Sequence, residues 1–103
     1  FRHYGFYENY FLDQASRIRD AVDCQVVYVG GACSNEGFAE LMARGFDFIQ
    51  LGRALLSDPD LPLQARENPG FRSRCLHCNE CVATIEHPRG VHCTRFSDQT
   101  SRV

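Results

Sequence analysis

Two short apolar segments, each bordered by glycine and separated by a helical pattern, constrain the fold more than any other feature of the sequence. They are CQVVYVG, residues 24–30, and FDFIQL, residues 46–51. A continuous apolar run of this length is typical of a strand that is buried on both faces of a parallel sheet. Strand, helix and strand within about thirty residues predict a right-handed parallel crossover.

The residues around these strands predict two longer helices. Apolar positions 11, 15, 18 and 22 form one face of a helix over residues 9–22. Ser34 is a suitable N-cap for a second helix over residues 35–44. Gly45 follows that helix, where a left-handed C-terminal cap is favoured.

The pattern continues with shorter elements. A short helix is expected near residues 54–56, and a turn or two of helix over residues 61–67, before Asn68-Pro69-Gly70 interrupts the pattern. Two parallel strands do not form a stable sheet by themselves. We therefore expect further strands in a segment upstream of Phe1.

Charge and hydropathy argue against several classes of function. The formal net charge of the 103 residues is −2, so no nucleic-acid partner is expected. No apolar run approaches the ~20 residues that a membrane helix needs, so no membrane partner is expected either. The first residues, FRHYGFYENY, lack the apolar core of a secretory signal and an initiator Met. We expect a cytoplasmic piece of a longer chain, in which clustered cysteines are more often metal ligands or catalytic thiols than disulfides.

Glycines follow both predicted strands at their carboxyl ends, where α/β folds bind ligands. Gly30 and Gly31 precede one helix, and Gly52 and Arg53 precede the next. Glycine lets a phosphate approach backbone N–H groups, a helix N-terminus adds partial positive charge, and Arg53 adds charge-assisted hydrogen bonds. Two consecutive units of this kind match the phosphate site of many (β/α)8 barrels. The alternative is that the glycines only form tight strand-to-helix turns.

Four of the six cysteines cluster in RCLHCNECVATIEHPRGVHC, with the spacing C-x2-C-x2-C-x11-C; they are Cys75, Cys78, Cys81 and Cys93. Four thiolates are the usual ligands of a [4Fe-4S] cluster. Four sulfurs also satisfy zinc, and His77 or His92 can replace one of them. The cysteines alone leave three interpretations open, namely a cluster, zinc, or reduced thiols without a metal.

The remaining cysteines and the N-terminal aromatic residues have simpler interpretations. Cys24 and Cys33 are predicted to fill small buried spaces. The aromatic residues near the N-terminus are expected to pack together or to line a substrate channel; they are Phe1, Tyr4, Phe6, Tyr7 and Tyr10.

The segments VVYVGGACSNEGFAELMARGFDFIQLGRALLSDPDL and CLHCNECVATI…GVHC resemble the C-terminal quarter of the old yellow enzyme-like NADH:flavin oxidoreductases. The resemblance extends from the helix near Phe11 to Cys93, and LGRALLSDPDL is a specific part of it. It implies an α/β fold in which this chain carries the last two βα units of an FMN-binding (β/α)8 TIM barrel and a cysteine-rich tail. Residues 1–70 would form the barrel units, and residues 71–103 the cysteine-rich segment and C-terminal tail.

The resemblance also implies roles for individual residues. Gly30, Gly31, Gly52 and Arg53 would bind the FMN phosphate. No catalytic residue is expected in this chain, because the family's His/Asn or His/His pair and its proton-donating Tyr lie on earlier strands. The intact protein would be an NAD(P)H:flavin oxidoreductase of the ene-reductase type, which passes hydride through FMN to an activated alkene or a related small-molecule acceptor. This chain alone would be inactive without the remainder of the barrel upstream.

The subgroup that resembles 2,4-dienoyl-CoA reductase and trimethylamine dehydrogenase carries a [4Fe-4S] motif after the last strand, with the spacing C-x2-C-x3-C-x11-C. This sequence matches its place and its last gap but is one residue shorter between Cys78 and Cys81. Zinc and no metal therefore stay open as alternatives. A cluster would relay electrons to FMN from a downstream FAD/NAD(P)-binding domain. The rival functions are a non-enzymatic zinc- or cluster-binding module and a barrel fragment without independent function.

Overall fold

The computed structural model describes residues 6–96, and its elements follow the order that the sequence predicts. They are α1 (Leu12–Ala21), β1 (Val27–Val29), α2 (Asn35–Ala43), β2 (Phe48–Gln50), α3 (Arg53–Ser57), α4 (Leu61–Glu67) and a 3-10 helix at Glu80–Thr84. The chain divides into two compact units, Phe1–Leu51 and Gly52–Val103. No helix between residues 6 and 96 is long and apolar enough to cross a membrane.

The two strands pair in parallel, as the strand–helix–strand pattern predicts. Val27 is opposite Phe48, and Val29 is opposite Gln50. Parallel pairing puts the carboxyl ends of both strands at the same edge of the sheet. The Gly30-Gly31 turn therefore leaves the sheet at the edge where β2 also ends.

The first helix begins later than the sequence pattern indicates. The prediction placed its start near Asn9, but Asn9 has a left-handed φ of 56°, which a helix interior does not accept. Its side-chain Nδ2 instead donates hydrogen bonds to the Gly37 carbonyl and to Glu40 Oε1, both at 3.2 Å. Asn9 thus ties the segment before α1 to α2.

The C-terminus of α2 has the predicted glycine cap. Gly45 has a φ of 96°. Its N–H donates to the Met42 carbonyl at 3.1 Å, and the Phe46 N–H donates to the Leu41 carbonyl at 3.3 Å. These two bonds form a Schellman motif. The motif also places Phe46 against Leu41, and both side chains are almost completely buried.

The core of the first unit is built around β1. Tyr28 is 1% exposed and packs with Ala32, Leu41 and Phe46. The Tyr28 and Phe46 rings have their centroids 5.3 Å apart. One face of β1 is therefore buried by α2 and the residues around it.

The other face of the strands is exposed in the described part of the chain, and strands covered on both sides stay a prediction for the intact protein. Val27, Val29 and Phe48 are 51%, 54% and 56% exposed. The reason is that α2 and its neighbours cover only the Tyr28 side of this short sheet within the described part of the chain. Three of the four residues on this outer face are apolar, as in a strand that has a further layer against it, and the fourth is Gln50.

The two isolated cysteines differ in their surroundings. Cys33 is 1% exposed, as predicted, but Cys24 is exposed and the prediction of a buried filler is wrong. The segment around Cys24 is held through its backbone, because Arg19 Nη2 donates to the Cys24 and Val22 carbonyls at 3.0 and 3.1 Å. Its thiol is not needed for packing.

Candidate functional site

The Gly30-Gly31 turn is a place of close backbone approach. Gly30 and Gly31 have φ values of 148° and 79°. A Cβ on Gly30 would lie 2.7 Å from Phe11 Cδ2, and a Cβ on Gly31 would lie 2.6 Å from the Tyr10 ring. Both positions therefore require glycine, for backbone conformation and for space. In this structure aromatic rings make the close approach, and phosphate binding at the turn stays a prediction.

The described aromatic residues of the N-terminal segment pack with one another. The Tyr10 ring makes edge contacts with Phe6, Tyr7 and Phe11 at centroid distances of 5.9, 6.5 and 4.6 Å. These contacts agree with the packing role that the sequence predicts, whereas Phe1 and Tyr4 lie outside the described residues. The aromatic cluster lies over the Gly30-Gly31 turn.

The N-terminus of α2 has the predicted N-cap, and a distant carboxylate bonds to the two residues that precede the helix. Ser34 Oγ accepts a hydrogen bond from the Gly37 N–H at 3.1 Å, which confirms it as the N-cap. Its hydroxyl donates to Glu8 Oε2 at 2.7 Å, and the Cys33 N–H donates to the same oxygen at 3.2 Å. A carboxylate is favoured here by the helix dipole. Glu8 therefore places a carboxylate at the N-terminus of α2, where the sequence analysis expected the partial positive charge of the helix to favour a phosphate.

The second glycine turn lies in the other compact unit. Gly52 is the N-cap of α3, and a Cβ built on it would meet nothing within 4 Å. Arg53 is the first residue of α3, and its Nη1 donates a hydrogen bond to Asn79 Oδ1. Asn79 itself has a left-handed φ of 64°, which asparagine tolerates better than most residues. Arg53 thus contacts the cysteine-rich segment between Cys78 and Cys81.

The four clustered cysteines line one cavity of about 20 Å³, which Arg53 and Arg95 also line. All four are half-buried and none forms a disulfide. Arg95 also donates a hydrogen bond to Glu80 Oε2, and this bond lowers the pKa of the Glu80 carboxyl. The structure therefore brings together the four cysteines that the sequence singled out, with two cations beside them.

Burial controls the protonation of two of these thiols. It raises the pKa of Cys75 and of Cys81 above their ordinary values. The His77 N–H, which donates to Cys75 Sγ at 3.4 Å, and the Arg53 charge act in the opposite direction. Because burial is the larger effect, these thiols keep their protons at neutral pH. A metal that binds them must displace those protons.

In the described part of the chain the four thiols are not arranged as a formed metal site. Among residues 6–96, no three His, Cys, Asp or Glu side chains converge on a point that could hold a metal ion. A zinc site needs its sulfurs about 2.3 Å from one point. A [4Fe-4S] cluster takes one thiolate on each of four irons, so its ligands surround a larger space. A cavity of about 20 Å³ holds only about one water, so it is smaller than a cluster in this structure.

Three curated proteins are similar to this chain. A 4,4'-dithiodibutanoate disulfide reductase from Rhodococcus erythropolis is 33% identical over 82 residues, which are 80% of this chain and 20% of that protein. A bilirubin reductase from Mediterraneibacter gnavus (strain CC55_001C) is 34% identical over 80 residues, 75% of this chain and 12% of that protein. An NADH oxidase from Thermoanaerobacter brockii is 34% identical over 67 residues, 63% of this chain and 10% of that protein.

No protein-family model matches the chain, and no solved structure is significantly similar to it. The chain spans only about a tenth to a fifth of the length of the three relatives. By name, two of these relatives are reductases and one is an NADH oxidase. The chain is therefore related to a short segment of oxidoreductases.

Proposed function

We propose that this chain is part of a flavin-dependent NAD(P)H oxidoreductase and that it carries part of an FMN phosphate site and an iron–sulfur segment. The observation that carries the proposal is the similarity to three oxidoreductases. An alignment of 82 residues in a chain of 103 necessarily includes both glycine turns. We further propose that the intact protein reduces an activated alkene, as an ene-reductase does.

The proposed fold of the intact protein is a (β/α)8 barrel of which β1, α2 and β2 form the end. The parallel pairing of the strands and the order of elements support it. The apolar outer face at Val27, Val29 and Phe48 supports it as well, because barrel strands are covered on both faces. Most of the flavin pocket and the acid–base groups would then belong to earlier strands.

In this proposal the chain binds and orients the FMN phosphate. No atom lies within 4 Å of the position that a Cβ on Gly52 would take, so a phosphate has room there, and Arg53 is the first residue of α3. A guanidinium carries five N–H donors, so the bond to Asn79 is compatible with a phosphate contact. Bound FMN would supply hydride transfer.

The cysteine set would hold a [4Fe-4S] cluster, which supplies one-electron transfer when bound. Cys75, Cys78, Cys81 and Cys93 surround one cavity, and the thiols would lose their protons on binding. The charges of Arg53 and Arg95 at the same cavity would stabilise the thiolates once a metal has displaced the protons. The electrons would be exchanged with a downstream FAD/NAD(P)-binding domain.

Anaerobic purification of the intact protein tests both the FMN site and the iron–sulfur cluster. We expect bound flavin and about four iron and four sulfide per chain. Replacing Arg53 by Ala should weaken FMN binding roughly 10- to 150-fold, the scale of a lost charge-assisted hydrogen bond. Arg66→Ala, which changes an exposed arginine of α4, is the matched control and should not affect FMN binding. Equal FMN affinity in the two variants, or colourless protein with one zinc and no flavin, would contradict the proposal.

A further inference from the structure

Asp58 is a buried carboxylate that neither the flavin nor the cluster proposal uses. It follows α3 and is 4% exposed. Its Oδ2 accepts hydrogen bonds from Ser73 Oγ at 2.6 Å, from Ser57 Oγ at 3.0 Å and from the Arg74 N–H at 3.1 Å. Its Oδ1 lies 3.6 Å from Arg74 Nε. A buried carboxylate with this many partners forms a rigid anchor, since its removal would leave several buried donors unsatisfied.

Hydrogen bonds connect Asp58 through Ser73 to Cys75, the first cysteine of the set. The Cys75 N–H donates to Ser73 Oγ at 3.2 Å, and the Ser73 hydroxyl donates a hydrogen bond to Asp58 Oδ2. Arg74 is held twice, because its backbone N–H donates to Asp58 and its Nε donates to the Ser57 carbonyl at 3.0 Å. Both residues that precede Cys75 are therefore attached to the C-terminal end of α3.

We propose that Asp58 is a positioning residue for the cysteine set, which acts through Ser73 and Arg74 to fix Cys75 at the cavity. The inference rests on the proposed function in so far as the cysteines hold a cluster. Metal ligands need support from surrounding hydrogen bonds, and loss of such partners typically costs 10- to 100-fold in metal affinity. The bonds of Asp58 go to Ser57, Ser73 and Arg74 and not to a thiol, so Asp58 would act on the position of the Cys75 thiol.

The test compares the intact wild-type protein with Asp58→Asn and Asp60→Asn. Asp60 is a half-exposed carboxylate that accepts a hydrogen bond from Gln64, so it receives the same chemical change two positions away. We expect about 10- to 100-fold weaker retention of iron in Asp58→Asn, together with a changed electron paramagnetic resonance spectrum of the reduced cluster. In the metal-free protein, Cys75 should be alkylated several-fold faster in this variant, as measured by mass spectrometry. Asp60→Asn should match the wild type in all three measurements.

A second pair of variants serves if Asp58→Asn does not fold. Ser73→Ala removes the hydroxyl between Asp58 and Cys75, and Ser73→Thr keeps it. Ser73→Ala should lose iron and expose Cys75, whereas Ser73→Thr should restore wild-type behaviour. Equal results for the two serine variants, or for the two aspartate variants, would overturn the inference. If the wild type holds no cluster, the proposed cluster fails, and the Cys75 alkylation rates still decide whether Asp58 fixes this cysteine.

Discussion

Replacing Tyr28 by Phe removes one oxygen atom from the centre of the first compact unit. The Tyr28 hydroxyl donates to the Gly30 carbonyl at 2.7 Å and accepts from the Phe11 N–H at 3.2 Å. The substitution keeps the ring and its contact with Phe46, so it creates no cavity larger than a hydroxyl. The change therefore isolates the hydrogen bonds that hold the Gly30-Gly31 turn and the start of α1.

The expected loss of unfolding free energy follows from these two partners. Gly30 is buried, and an unsatisfied buried carbonyl costs about 1–3 kcal/mol. Phe11 is half-exposed, so water can replace the bond to its N–H and the loss there is about 0.5–1 kcal/mol. We expect a total of about 1.5–4 kcal/mol.

Denaturant unfolding of the intact protein, followed by circular dichroism, measures this loss. Tyr7→Phe is the matched control, because the Tyr7 side chain is 65% exposed and its hydroxyl donates to the nearby Tyr10 carbonyl at 3.3 Å. The control should change the unfolding free energy by less than about 0.5 kcal/mol. If Tyr28→Phe is as stable as Tyr7→Phe, the buried hydroxyl does not link the turn to α1 and the reasoning is refuted.

The same pair of proteins gives a pH dependence. Burial raises the pKa of the Tyr28 phenol above its ordinary value of 10.0. The folded protein therefore keeps this proton at a pH where the unfolded chain has begun to lose it. The contribution of Tyr28 is complete below pH ~10 and is lost as the pH rises through the folded pKa. The stability gap between the wild type and Tyr28→Phe should narrow above pH ~10, and a constant gap would contradict the burial of the phenol.

Three further changes test the α2 cap, the core and the cysteine set. Gly45→Ala should lower the free energy of unfolding by about 1–2 kcal/mol in denaturant unfolding. The loss comes from backbone strain alone, since the nearest atom to the new Cβ, Arg19 Cδ, is 3.8 Å away. Gly45→Asn should lower the free energy of unfolding by less, because asparagine tolerates a left-handed backbone better than alanine. Leu41→Ala, at a fully buried position, should cost about 2–5 kcal/mol by denaturant unfolding. Cys24→Ser should leave the iron content of the intact protein unchanged, whereas Cys75→Ser should lower it; equal iron contents would argue against the four-cysteine set.

Local signals in the sequence determined the order of elements and the caps of α2. The Ser34 and Gly45 caps were predictable because each depends on the backbone of a few adjacent residues. The start of α1 was misplaced because helical periodicity does not reveal that Asn9 is left-handed. The grouping of Cys75, Cys78 and Cys81 at one cavity also follows from their spacing, since short gaps keep these thiols close. Eleven residues separate Cys81 from Cys93, so the place of Cys93 at the cavity depends on the tertiary structure.

Only the tertiary structure decided which distant side chains support the candidate sites. Glu8 bonds to Ser34 across 26 residues, Arg53 to Asn79 across 26, and Ser73 to Asp58 across 15. The chain has thirteen acidic residues, and no local pattern indicates that Glu8 and Asp58 are the two that hold other loops. That choice depends on which loops meet when the strands pair and the short helices pack, because a carboxylate is stable away from water only where several donors converge on it.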